Sequence, residues 1–283
     1  MTTEAERPVT GHDAAFVDAA GVRHGRATGN VRIVSLVPSL TETLFALGLN
    51  GLVVGRTAFC THPRDEVRRL RSVGGTKTVN IDKIRALAPT HVLVNVDETP
   101  LALAETLASL GYHVVVTHPI EVQDNLALYR LIGGIFSREA EAAALSVRFQ
   151  DAYDALRQAA AHWPERRVLY LIWKDPWITV GPETYIARML AMARWHTLIE
   201  ASDRRYPTVE LAKWLDGADV VLFSTEPFPF KDGHLDAFRA GFPRHAQKAF
   251  TADGQMLSWY GSRAVDGLAY LCRLAAAVNR TIG

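Results

Sequence analysis

The side chains best suited to chemistry in this chain sit in short loops, and the densest group is aromatic. WKDPW holds Trp173 and Trp177, residues 224–230 hold Phe228 and Phe230, and SWYGSR holds Trp259, Tyr260 and Arg263. Three of the six tryptophans fall in these loops, more ring area than a turn requires. Rings at a cleft mouth suit a large, flat ligand with polar edges. Rings beneath the loops would only fill core, and about half are expected to do so. A second group is less specific. Cys60 and His62 are two residues apart, and Asp97, Glu98 and His118 follow apolar runs. Thiolate and imidazole together suit a soft metal. No CxxC, HExxH or HxH pair accompanies them, and hydrogen bonds to loop backbone are the alternative role for His62 and His118. Arg56, Lys77 and Arg263 supply cations for a carboxylate or phosphate, or plain surface charge.

What these loops can do depends on the elements that carry them. Apolar runs at residues 32–36, 91–95 and 113–117 alternate with helical stretches, the β-α-β-α-β order of a parallel sheet covered by helices. Ligands of such sheets bind beyond the carboxyl ends of the strands. The segments at those ends are residues 37–39, 56–62, 74–77, 95–98 and 117–119, then 173–177, 224–230 and 258–263. Ser39 and Phe59 join the candidate ligand-binding residues on that ground.

The chain also repeats itself. NIDKIRALAPTHVLVN from Asn80 aligns without a gap on TVELAKWLDGADVVLF from Thr208, bringing Asp82 onto Glu210 and Leu87 onto Leu215. VRIVSLV from Val31 and RRVLYLI from Arg166 open the two halves alike. Between them, residues 138–162 contain no Gly or Pro and space apolar residues helically, predicting a helix of roughly 37 Å. The expected fold is therefore α/β, with two lobes, each a small parallel sheet covered by helices, bridged by one long α-helix. The boundaries read as a loose arm with a small hairpin near Ala20-Gly21 over residues 1–29, a first lobe over 30–135, the bridging helix over 136–163 and a second lobe over 164–283.

Composition narrows the function. With 31 basic against 30 acidic side chains, the formal charge of +1 provides no field for nucleic acid. Cys60 and Cys272 are too few for a disulfide framework. No run of 18 apolar residues predicts membrane insertion. The first residues show neither a secretory leader nor a lipidation cysteine. As written, the chain is expected in the cytoplasm, or in the periplasm if a leader is missing. There is no Walker loop, no GxGxxG after a strand and no GxSxG elbow.

RIVSLVPSLTETLFALG, a VGRT strand, a loop ending in HP, a VGGTK turn, NIDKIRALAPTHVLVN and a long helix together resemble the helical-backbone periplasmic binding proteins. These are the substrate-binding components of ABC importers for cobalamin, haem and ferric siderophores, and the cobalamin-binding branch is the nearest. The similarity spans residues 16–278. It implies two rigid lobes with a shallow cleft, no catalysis and no required cofactor. The ligand would be a metal chelate, first a corrinoid, otherwise a ferric siderophore or haem. The resemblance also implies that one carboxylate on each lobe docks onto a membrane permease, and Asp82 and Glu210 match those positions. Helix dipoles alone favour acids there. The rivals are a cytosolic enzyme built round Cys60 with His62 or His118, and an intracellular metal or corrinoid carrier on the same scaffold.

Overall fold

The computed structural model describes residues 16–199 and 204–282. The first lobe opens with an antiparallel hairpin, β1 (Phe16–Val17) and β2 (Arg23–His24). Strand and helix then alternate through β3 (Ile33–Ser35), α1 (Pro38–Ala46), β4 (Val53–Arg56), α2 (Arg64–Val67), β5 (Arg71–Ser72), α3 (Ile81–Ala86), β6 (His91–Asn95), α4 (Leu101–Ser109) and β7 (His113–Thr117). The five strands lie in the order β5-β4-β3-β6-β7, all parallel. Helices α5 (Asp124–Ile135) and α6 (Glu139–Ala160) lead to the second lobe. That lobe comprises β8 (Arg166–Trp173), β9 (Ile178–Thr179), α7 (Tyr185–Ala191), β10 (Trp195–Thr197), α8 (Leu211–Trp214), β11 (Val220–Ser224), α9 (Asp232–Gly241), β12 (Ala249–Ala252), α10 (Gly254–Ser258) and α11 (Arg263–Ile282). Its parallel strands run β10-β8-β11-β12, and β9 pairs antiparallel with β8.

The repeat in the sequence is a repeat in space. α3–β6 and α8–β11 occupy the same place in their lobes, beside β3 and β8 respectively. β6 and β11 are buried at every position because helices cover both sheet faces. Their alternate residues serve different cores. Leu93 packs with Ile33 and Leu40, whereas Val92 and Val94 pack with Val34 and Ile84. In β11, Val220 and Leu222 point one way and Val221 and Phe223 the other. The inner core runs from Leu40 through Phe149 and Leu156 of α6 to Tyr170 and Leu268. With 22 residues, α6 spans roughly 33 Å.

The lobes meet at a tight joint. Gly261 has φ +78°, its N–H donates to Asn125 Oδ1 at 2.6 Å, and its carbonyl accepts from the Tyr129 hydroxyl at 2.8 Å. A Cβ there would lie 2.0 Å from Thr43 Oγ1, so both space and backbone require glycine. Thr43 Oγ1 also accepts from the Ser262 N–H at 2.9 Å.

One expectation needs correction. The hairpin expected near Ala20-Gly21 is present, but from Phe16 onward the arm is not loose. Asp18 accepts from the N–H groups of Ala20, Val22 and, on β7, Val116, and it pairs with His24 Nε2 at 2.9 Å. One carboxylate thereby organises the hairpin turn and clips it to the sheet. Residues 1–15 of that arm lie outside the described residues. Helix α3 stops at Ala86, because Pro89 disfavours helical backbone just before it and Ala88 turns to φ +43°.

Candidate binding site

The carboxyl ends of both sheets open on one cleft, and the two sides differ. On the second-lobe side the ends of β8 and β11 carry rings. Trp173 meets Phe228 edge-on at 5.7 Å and stays 40% exposed. Trp177 stacks on Phe230 at 6.0 Å and meets Phe223 edge-on, so it belongs to the outer core of its lobe. Trp259, at the end of α10, is buried; its indole N–H donates to Glu226 Oε1 at 2.7 Å, and the Arg263 guanidinium lies over its ring at 5.0 Å. Tyr260 is buried edge-on against Tyr185.

The first-lobe side is polar. Asn95 ends β6, and its side chain fixes the following turn by accepting from the Asp97 N–H at 2.8 Å and donating to the Thr117 carbonyl at 3.0 Å. Asp97 pairs with Arg205, a second-lobe residue, which also bonds His118 Nε2 at 3.3 Å. Arg205 is held from behind by the Glu183 carbonyl. This contact closes one side of the cleft. Glu98 follows Asp97. Burial, then Asp97 and Glu226, push its carboxyl up to about 7, with Lys77 opposing. Among the described residues no side chain donates a hydrogen bond to it.

The sequence candidates divide accordingly. Phe59 (61% exposed) lies in the loop after β4, and Lys77 lies close enough for its charge to act on Glu98; Trp173 ends β8 with Phe228 against it, and Trp259 and Tyr260 follow α10. Ser39, near the start of α1, is buried beside Tyr260. Arg56 donates to the carbonyls of Val67 and Thr57, and Arg263 grips Glu42 with bonds of 2.7 and 2.6 Å. Both guanidiniums brace the scaffold instead of standing open to a ligand. The proposed metal trio does not assemble. Cys60 is buried against the Thr41 and Thr57 hydroxyls, and burial raises its thiol pKa, the opposite of what a reactive thiolate needs. His62 lies edge-on to Trp259 at 5.8 Å, and His118 faces Asp97 and Arg205. Among the described residues no group of three or more His, Cys, Asp or Glu side chains is placed to hold a metal ion. Asp82 and Glu210 are both exposed at helix starts, paired with Arg85 at 3.4 Å and Lys213 at 2.7 Å.

Three residues on this side were not singled out from the sequence: Glu226, although its segment 224–230 was, and Arg205 and Tyr206. For Glu226 a signal was present. The offset that brings Asp82 onto Glu210 also brings Glu98 onto Glu226, so the repeat extends past the strands into the loops. Arg205 and Tyr206 lie in an irregular segment with no pattern to mark them. A recess of about 620 Å³ lies elsewhere, under the hairpin between His24, His91, Leu101 and Tyr112.

Comparison with known proteins adds three findings. The family model described as periplasmic binding protein matches residues 33–232. The vitamin B12-binding protein of Yersinia pestis (strain Pestoides F) is 22% identical over 178 residues, and the match spans 63% of each chain. Among solved structures, the periplasmic vitamin B12 binding protein BtuF of Vibrio cholerae superposes with TM-score 0.76 at 19% identity, covering 87% of this chain and 97% of that one. The periplasmic heme-binding protein RhuT from Roseiflexus sp. RS-1, in apo form, gives 0.76 at 22% identity, covering 90% of this chain and 100% of that one. At these identities the superpositions establish the two-lobed fold alone.

Proposed function

This chain belongs to the periplasmic binding protein family, and we propose that it is a non-catalytic binding protein for a metal chelate, with a corrinoid as the first candidate. One observation carries this most: the exposed rings. Among the described residues, Phe59, Trp173 and Tyr206 are the large aromatic side chains that stand exposed: Phe59 in the loop after β4, Trp173 at the end of β8 and Tyr206 in the segment between β10 and α8. A large side chain left in water forgoes about 1.5–3 kcal/mol of burial. Rings so placed on both lobes mark a surface completed by a ligand. The spacing of two lobes held by a tight joint suits a broad, flat molecule gripped on its faces, with Trp173 and Phe59 flanking it and Trp259 beneath. The vitamin B12-binding relatives support a corrinoid, and the heme-binding neighbour supports the wider class of metal chelates.

Exposed acids at the starts of equivalent helices, Asp82 on one lobe and Glu210 on the other, are the surface by which an ABC permease would be engaged. That role belongs to a protein working in the periplasm. Among the described residues no helix is long and apolar enough to cross a membrane. Titration with cyanocobalamin, haem and ferric siderophores tests the assignment. The expected outcome is a Kd below about 10 μM for one of them, near −7 kcal/mol. Failure of all three to bind below about 100 μM, roughly −5.5 kcal/mol, would overturn it.

A further inference from the structure

We propose that Glu98 and Glu226, with the buried hydroxyls of Tyr260 and Ser39 beside them, form a patch that selects chelates edged with carboxamides over chelates edged with carboxylates. This rests on the proposed binding of a metal chelate and specifies its chemistry. The two glutamates hold the same position in the two halves, three residues after the last residue of β6 and two after that of β11, and Glu226 is close enough for its charge to act on Glu98.

The second-lobe glutamate is firmly built in. Its carboxylate accepts from Trp259 Nε1 at 2.7 Å and Ser258 Oγ at 3.2 Å. Gly254 lies directly behind it, where a Cβ would come within 2.5 Å of Glu226 Cγ. The first-lobe glutamate has no donor among the described residues. Beside it the buried Tyr260 hydroxyl lies near the Ser39 and Thr117 hydroxyls, yet neither it nor Ser39 Oγ makes a hydrogen bond of good geometry. Glu98 and Tyr260 are near enough to interact electrostatically. Buried hydroxyls whose hydrogen bonds are poorly formed are uncommon in folded proteins, and a pair of them beside a carboxyl without a side-chain donor leaves bonding capacity for ligand groups.

A primary carboxamide matches this set. Its N–H groups donate to glutamate oxygens, and its carbonyl accepts from a hydroxyl or a protonated carboxyl. A carboxylate in the same place offers no donor and meets two like charges. The charged and titratable groups facing Glu98 are Asp97, Lys77, Glu226, Tyr206 and Tyr260. Asp97 is already held by Arg205 and His118, and among the described residues Lys77 is the cation whose charge opposes the rise at Glu98.

The test is calorimetric titration of the wild type and of the Glu98→Gln/Glu226→Gln double variant at pH 8. The probes are cyanocobalamin and a derivative in which one side-chain amide is hydrolysed to the acid. The wild type is expected to favour the amide by on the order of tenfold, and the double variant to show less than about threefold preference. A second measurement needs no variant. Between pH 6 and pH 8 Glu98 ionises while the ligand acid is charged throughout, so the wild-type preference for the amide should grow. Equal affinity for both probes at pH 8, or a preference that survives in a folded double variant, overturns the amide patch and leaves chelate binding standing. Binding of neither probe, nor of haem or a ferric siderophore, overturns both.

Discussion

The two lobes share a frame and differ in what they hang on it. β6 and β11 are both buried five-residue strands preceded by a short helix with an acid at its start. Past the strand ends they diverge. The first lobe presents Asn95, Asp97, Glu98 and His118; the second presents Trp173, Phe228 and Trp259. Repeating the frame repeats the geometry of a strand-end site, and the loops then divide the work. One side offers hydrogen bonds and charge, the other flat apolar area. A ligand satisfied by both must be broad and edged with polar groups.

The sharpest way to break this comparison is at the joint. Gly261→Ala forces a side chain into Thr43 and a left-handed backbone, and should destabilise the fold by about 3 kcal/mol, read as a lowered midpoint in urea unfolding. On the apolar side, Trp173→Ala should weaken chelate binding by about 2 kcal/mol, roughly thirtyfold, in calorimetry. Phe59→Ala on the polar side should cost less, about 1 kcal/mol, because among the described residues Phe59 has no ring partner comparable to Phe228. Equal losses would mean that the lobes contribute alike.

Protonation separates regions within the first lobe. Burial, with His113 and His24 adding to it, holds His91 down to about 4. Its folded pKa is below the ordinary 6.5, so its contribution to stability is present above pH 6.5 and is lost as pH falls through 4. Glu98 has the opposite sign. Its pKa is raised from 4.5 to about 7, so its contribution is full below 4.5 and is lost as pH rises through 7. The two slopes oppose each other between pH 4.5 and 6.5. Glu98→Gln should remove one of them and leave a protein whose stability rises more steeply from pH 5 to pH 7, measured by urea unfolding at several pH values. The smallest effects belong to Asp82→Ala and Glu210→Ala. Each breaks only an exposed ion pair and should change unfolding free energy by less than about 0.5 kcal/mol without altering ligand affinity.

Much of this architecture was legible in the residues. Apolar runs marked β3, β6, β7, β8 and β11, and the Gly- and Pro-free stretch marked α6, because burial on two faces and helical spacing both leave local patterns. The aromatic wall was legible as well, since WKDPW and SWYGSR stand out by composition. The roles of Arg56 and Arg263 were not. Arg263 grips Glu42, more than two hundred positions away, and Arg56 turns onto the backbone carbonyls of Val67 and Thr57, which no side-chain pattern marks. β5 and β10, two and three residues long, carry too little pattern to separate from loop. Asp18 is equally silent in sequence, since three of its four partners are close along the chain and the fourth, Val116, lies on the far edge of the sheet.

That last contact reaches beyond the single molecule. β7 is the outermost strand of its sheet, and Val116 points its N–H and C=O away from β6. Asp18 takes the N–H, and the Ala19 N–H takes the C=O at 2.9 Å. With both groups spoken for, a strand from a neighbouring copy finds nothing to pair with at that point. The hairpin thus blocks edge-to-edge pairing at that point of the border.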